Sequence, residues 1–333
     1  MPTDLDVTQA IYLALVQGFT EFLPISSSGH LVLVPRLLGN GLQSLSFDIA
    51  VHFGSLLAVI WYFRHQLATM SVDWMQSIVR RQKVGESSLA WSVILGTVPA
   101  GIFGLFLYLV YDGRIQLAMV WLGLVAGFTL LGVLVLLVKR KYAVAGYFCI
   151  AILVMLALAG LALYFRTSLR GVVTIAITTL LFGLVLWLAD VVGRRRRELD
   201  TVGWKDVLLV GLAQAIAIIP GTSRSGITIT MALFLGFRRS AAARFSFLLS
   251  IPTILLAAGV LVIKFIKSNE QVQWTTLGVG TAVSAVAAYT CIYLFLKLIE
   301  RMGMLPFVVY RIALAAVLFY LVTTGFFIQG SLG

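Results

Sequence analysis

Blocks of roughly twenty apolar residues recur along the whole chain, and they leave it few ways to fold. Each is long enough to cross the ~30 Å hydrocarbon layer of a membrane at about 1.5 Å per helical residue. Such blocks fall at about 47–64, 89–112, 115–138, 142–165, 171–193, 244–266, 275–296 and 305–327. The pattern predicts an all-α integral membrane protein with about eight full spans. Of its 333 residues 60% are hydrophobic and 11% charged, against about 25% charged in soluble domains. No hydrophilic stretch is long enough to form a separate soluble domain, so residues 1–333 read as one polytopic membrane domain.

The formal net charge of +12 does not indicate nucleic-acid binding. Lys and Arg collect in short loops between apolar blocks, as the positive-inside bias predicts. Loops rich in basic residues (64–88, 139–141, and the run Arg194 to Arg197) alternate with sparse ones at 112–114 and 166–170. The rich loops are expected in the cytoplasm. Residues 66–88 mix Trp74 and Met75 with polar groups and read as a surface-lying segment. Asp190, close to the arginine run, reads as a boundary charge. Cys149 and Cys291 lie in separate apolar blocks and suggest no disulfide frame. The start, MPTDLD, is acidic where a signal peptide is basic, so no cleavage is expected.

Two apolar stretches, about 7–38 and 206–236, are broken midway by Pro, Gly and Ser into pieces too short to cross. A broken backbone survives in lipid only where protein or water covers it, which makes a re-entrant helical hairpin the economical reading of each, with one kinked span each as the alternative. They also match one another. Residues 17–39, QGFTEFLPISSSGHLVLVPRLLG, align without a gap to 214–236, QAIAIIPGTSRSGITITMALFLG. Gln17 meets Gln214, Ser26 meets Ser223, Ser28 meets Ser225, Gly29 meets Gly226, and Leu38-Gly39 meets Leu235-Gly236. Broken segments entering from opposite sides signal an inverted-topology repeat with its site near the membrane middle.

The chemistry of the two copies differs. Glu21, Ser27 and His30 stand opposite Ile218, Arg224 and Ile227, so the site is composite. An acid, a histidine or an arginine in lipid is costly and points to function. Gln17 and Glu21 share a helix face. In PGTSRSG, Pro220 to Gly226, Gly221 allows close backbone approach, Thr222, Ser223 and Ser225 offer hydroxyls, and Arg224 offers a fork suited to phosphate oxygens. Ser26 and Ser28 add hydroxyls on the other side, although serines in membrane helices also serve plain close packing. Helices starting after each loop would aim free N–H groups at the same anion. Glu21 would repel phosphate unless it held a divalent cation, with Gln17 as a second oxygen, or acted as a base. Ser27 would be a nucleophile if Glu21 or His30 took its proton; His30 attacking phosphorus itself is the other option. The S-R-x5-H pattern of acid-phosphatase-type lipid phosphatases fails here, because the fifth residue past Arg224 leads to Thr230 and not to histidine.

These residues resemble the undecaprenyl-diphosphate phosphatase family, also called the bacitracin-resistance protein family. Its E/Q-x-x-x-E motif runs from Gln17 to Glu21 into FLPISSSGH, and its P-G-x-S-R-S-G signature appears as Pro220 to Gly226. FSFLLSIP at 245–252 and PFVVYR at 306–311 are also similar to it. The resemblance implies a bacterial inner-membrane enzyme that removes the terminal phosphate of undecaprenyl diphosphate, with a site facing the periplasm. It implies a divalent cation, Mg2+ or Ca2+, on Glu21 and Gln17, and essential roles for Glu21, Ser27, His30 and Arg224. The polyprenyl diphosphate lipid is the only partner implied; a homodimer is open.

One departure is an apparent insertion of two spans at about 113–165, between repeat one (about 7–112) and the remaining span with repeat two (about 171–327). An even number of extra crossings preserves the orientation downstream. A polyprenyl-phosphate flippase or transporter is the rival reading, since many carriers share inverted repeats with broken helices.

Overall fold

The computed structural model describes residues 6–39, 43–138, 171–268 and 273–324, with isolated positions between 146 and 160 and at 326. Twelve α-helices occupy these residues: α1 (Val7–Phe22), α2 (Ser27–Leu37), α3 (Leu45–Tyr62), α4 (Arg64–Arg80), α5 (Ser87–Tyr111), α6 (Ile115–Val138), α7 (Val172–Val192), α8 (Trp204–Ile216), α9 (Arg224–Phe234), α10 (Arg239–Ser268), α11 (Trp274–Met302) and α12 (Leu305–Thr323). Seven of them, α3, α5, α6, α7, α10, α11 and α12, are long and apolar enough to cross a membrane. The expected span at 142–165 lies outside the described residues.

The two broken stretches fold as helix pairs, α1–α2 and α8–α9. At 11 residues each, α2 and α9 reach roughly 17 Å, about half the hydrocarbon layer. Their bounds correspond residue for residue in the ungapped match: Ser27 and Arg224 both open a helix, and Leu37 and Phe234 both end one. The residues ahead of them, Ser26 and Ser223, both take positive φ, 73° and 69°. The correspondence therefore reaches the backbone as well as the sequence.

Packing repeats the same pattern. Helix α1 lies on α11 as α8 lies on α5, and α3 lies on α11 as α10 lies on α5. Small residues permit the approach: a Cβ on Gly18 would sit 2.6 Å from Ala287 Cβ, and one on Gly211 would sit 2.7 Å from the Gly96 carbonyl oxygen. A core of Phe22, Phe247 and Phe295, with ring centroids 5.3 and 5.7 Å apart in sequence, fills the space beneath the end of α1.

One end of the bundle is closed by ion pairs. Asp190 accepts from Arg239 at 2.6 and 2.8 Å and from the Met304 amide. Arg197 grips Asp206 with both nitrogens at 2.8 and 2.6 Å. The boundary charge of the sequence thus ties α7 to α10 and α12. Arg244 of α10 reaches Gln66 of α4 at 3.1 Å, so the basic 64–88 and 194–197 segments share this end. Helix α4 exposes Val72, Met75 and Val79 while Trp74 meets Trp91 of α5, as a surface-lying helix would.

Candidate functional site

The ends of the two short pairs meet at Glu21. Helix α1 carries Gln17 and Glu21 one turn apart, and Gln17 Nε2 donates to Glu21 Oε2 at 2.9 Å. Pro24 lacks an amide hydrogen and ends this helix after Phe22. The chain turns through Ser26 and re-enters helix at Ser27, whose hydroxyl donates to the same Oε2 at 2.8 Å. From the other pair, Arg224 opens α9 and its Nη2 donates to Glu21 Oε1 at 2.8 Å. The side chains of this ion pair are only 8% and 14% exposed. An arginine 203 positions from Glu21 thus reaches its carboxylate, and Arg224 and Ser27, which occupy the same place in the sequence match, bind its two different oxygens.

Three buried polar atoms around this cluster have no partner: Gln17 Oε1, Arg224 Nη1 and Thr222 Oγ1. Buried polar groups are nearly always satisfied, and an unpaired guanidinium nitrogen is an anion site in waiting. The other hydroxyls are engaged. Ser26 and Ser28 pair at 3.2 Å, as do Ser223 and Ser225. Ser223 Oγ also caps the Gly226 amide, and Ser225 donates to the Leu23 carbonyl at 2.8 Å, joining the second loop to the first. At Gly221 φ is +88°, and a Cβ there would meet the Ile175 carbonyl oxygen at 2.6 Å; only glycine fits this turn.

His30 stands apart from the Glu21 cluster. Its Nδ1 lies 2.7 Å from the Ser26 carbonyl, which has no proton to give, so Nδ1 carries the hydrogen. Nε2 then accepts from the Tyr310 hydroxyl at 2.6 Å. Both ring nitrogens are engaged, and the imidazole links the strained Ser26 turn to α12. His52 of α3 bonds the Asp48 carbonyl through Nδ1 at 2.7 Å.

Two residues of the site escaped sequence reasoning: Tyr310 and Arg311. Arg311 is fully buried in α12 and donates to five carbonyls, those of Pro24, Gly221, Thr222, Thr178 and Thr179, at 2.9 to 3.3 Å. It holds both loops and α7 together. The available signal was a lone arginine inside an apolar span, a costly residue that demands acceptors.

Among the described residues no group of three or more His, Cys, Asp and Glu is placed to hold a metal. One carboxylate beside an unpaired amide oxygen, Gln17 Oε1, does suit a hard cation such as magnesium, which takes one or two protein oxygens and completes its shell with phosphate oxygens and water.

A family model described as "Bacitracin resistance protein BacA" matches residues 10–148 and 138–317. The two matched stretches meet inside the segment read as an insertion. The chain is 46% identical over 320 residues to a protein named Undecaprenyl-diphosphatase 2 from Stutzerimonas stutzeri, covering 95% of this chain and 98% of the relative. Proteins named Undecaprenyl-diphosphatase from Nitrosococcus oceani and Thioalkalivibrio sulfidiphilus are each 43% identical, over 95% of this chain and 99% of theirs. With the Glu21 motif, the PGTSRSG loop and PFVVYR all inside the matched stretches, the chain belongs to the bacitracin resistance protein BacA family.

Proposed function

We propose that this chain is an undecaprenyl-diphosphate phosphatase, hydrolysing the lipid diphosphate to undecaprenyl phosphate and inorganic phosphate. The observation that carries the reading is the single carboxylate of Glu21, met by the Ser27 hydroxyl from one loop and the Arg224 guanidinium from the other. Near-full-length relatives named for this activity support it.

The mechanism follows from the contacts. Arg224 Nη1, free of protein partners, takes oxygens of the terminal phosphate, helped by the free amides that open α2 and α9. Ser27 Oγ attacks the terminal phosphorus as its proton passes to Glu21 Oε2. The bond from that phosphorus to the bridging oxygen breaks, and Glu21 gives the proton to the departing lipid phosphate. Water then attacks the phosphorus of the phosphoserine as Glu21 takes its proton. The bond from phosphorus to Ser27 Oγ breaks, and Glu21 returns the proton to Ser27 Oγ, releasing inorganic phosphate while Arg224 holds the spread phosphoryl charge. A divalent cation held by Glu21 and Gln17 Oε1 supplies charge neutralisation at the phosphate oxygens when bound.

In this reading the α1–α2 and α8–α9 pairs are re-entrant hairpins of an inverted repeat in one polytopic domain. The end closed by Asp190 and Arg197 faces the cytoplasm of a bacterial inner membrane, and the site opens to the periplasm. Matching helix bounds and reciprocal packing support the repeat; the shared basic end supports the orientation.

The test is phosphate release from undecaprenyl diphosphate by purified protein, with and without chelator, followed by acid quench with label in the terminal phosphate. Acid-stable label on Ser27 is the expected result. Label that survives only without acid, and persists in Ser27→Ala, moves the nucleophile to His30. Protein that releases no phosphate under any metal condition is a carrier instead.

His30 acts here as a strut, so Tyr310→Phe removes one hydrogen bond from it. A loss of roughly 0.5–1.5 kcal/mol predicts a kcat lower by roughly two- to tenfold, with KM unchanged. Complete loss of turnover in Tyr310→Phe would instead show the phenol hydroxyl in the reaction.

A further inference from the structure

Two cavities flank α5, and no step of the mechanism uses either. The first, about 750 Å³, is lined by Gln214 and Arg224 at the phosphate site and by Lys264 at its far end. Thr253, which bonds Gln214, and Lys264 both lie on α10, eleven residues or about 16 Å apart. Between these polar ends the walls are almost wholly apolar. The second cavity, about 570 Å³, lies between α5, α6 and α8 and has no charged residue in its lining. Two of its three Ser and Thr hydroxyls face their own helices: Ser92 donates to the Ser88 carbonyl at 2.7 Å and Thr129 to that of Val125 at 2.6 Å. Apart from Ser88 at the start of α5, such walls offer little to a polar ligand.

Val98 and Ile102, one turn apart on α5, line both cavities. Trp121 of α6 donates to the Ile102 carbonyl at 3.4 Å, placing α6 across this junction. Trp121 lines the first cavity and Leu122 the second. Together the cavities follow α5 from Ser88 to Tyr108, roughly 30 Å, which is the full hydrocarbon thickness.

We infer that the two cavities form one binding site for the prenyl tail of the substrate, and that α6 builds its distal half and gives the enzyme a preference for long tails. The inference rests on the lipid diphosphate reading above. The occupant follows from continuity: the site begins at Arg224, where the diphosphate is held, and the walls beyond the junction suit hydrocarbon. Leu122, Val125, Ala126 and Thr129 form the α6 wall, inside the first of the two stretches that the family model matches. A chain whose tail ends before Ile102 would not touch that wall.

The test compares undecaprenyl diphosphate with farnesyl diphosphate, using full-length purified protein and phosphate release. Ala126→Trp fills the distal cavity and Ile102→Trp blocks the junction. Both should lower kcat/KM for undecaprenyl diphosphate by at least roughly tenfold. Ala126→Trp should leave farnesyl diphosphate within about twofold of wild type, and Ile102→Trp, at a residue that also lines the first cavity, should cost farnesyl diphosphate less than undecaprenyl diphosphate. Leu124→Trp, on the outward side of α6 at 52% exposure, should change neither. Retained farnesyl turnover certifies that the variants are folded. Equal loss on both substrates in both variants, or no change on either, overturns the tail site while wild-type turnover leaves the phosphatase reading standing. Wild-type protein that hydrolyses neither diphosphate overturns the phosphatase reading, and the tail site falls with it.

Discussion

Glu21→Gln should leave a folded protein that turns over roughly a hundred to ten thousand times more slowly than wild type, the usual worth of a positioned acid–base group. The amide keeps an oxygen for Arg224 but has no capacity to take the Ser27 proton, and it holds a cation poorly. It also alters the balance of the pocket. Glu21 accepts three hydrogen bonds, from Gln17, Ser27 and Arg224, and Gln can accept only on its oxygen. Gln17 can turn its amide to offer Oε1, now unpaired, to the new NH2 group. The destabilisation should therefore fall below the roughly 3–5 kcal/mol that a buried pair costs when one charge is stripped of any partner. Melting of the purified variant and single-turnover phosphate release separate the two effects. A folded Glu21→Gln protein with near-normal rates would remove Glu21 from the proton path and leave it a structural partner of Arg224.

Much of this candidate site is legible in the sequence. Glu21, His30 and Arg224 stand out by cost, being ionisable groups at breaks in apolar stretches, and the ungapped match sets Ser27 and Arg224 at the same point. Their meeting on one carboxylate is what that symmetry implies. What was not legible depends on carbonyl oxygens, which no residue type announces. The acceptors of Arg311 are backbone atoms of three separate segments, so the motif PFVVYR reads as one more apolar span with a stray charge. For the same reason the partner of His30, Tyr310, lies 280 positions away with nothing in the spacing to mark it. The engaged hydroxyls of Ser223 and Ser225 are a related case: a serine-rich loop signals anion binding, whereas Ser223 caps its own helix and Ser225 fastens one loop to the other. Helix α10 begins at Arg239, before the apolar block that starts at about 244. Its first turn is polar, and ion pairs with Asp190 and a hydrogen bond from Ser240 to Glu300 carry it. Hydropathy cannot register such support.

Arg311→Met should strongly destabilise the protein. Five hydrogen bonds go at once. The Pro24 and Thr222 carbonyls lose their donor at about 1–3 kcal/mol each, while the Thr178 and Thr179 carbonyls keep their partners within α7 and Gly221 keeps the Thr179 hydroxyl. The two stranded carbonyls alone sum to about 2–6 kcal/mol, a large part of the usual 5–15 kcal/mol of whole-domain stability. The loss also falls where it does most harm. Pro24 belongs to the first loop, Gly221 and Thr222 to the second, and Thr178 and Thr179 to α7, so one side chain sets the separation at which Ser27 and Arg224 reach Glu21. Arg311→Lys separates charge from geometry. An ammonium has three donors and a single point of origin against the five donors of a planar fork, so lysine can serve some of these carbonyls and not all. The expected order is wild type, then lysine, then methionine, read as melting temperature and yield in detergent. Lysine should bind substrate with little change in KM but turn over more slowly, because the loops are held less firmly. A methionine variant that melts like wild type would mean that water satisfies the Pro24 and Thr222 carbonyls, and the loops would then owe their position to Ser225, the Thr178 and Thr179 hydroxyls and the Glu21–Arg224 pair.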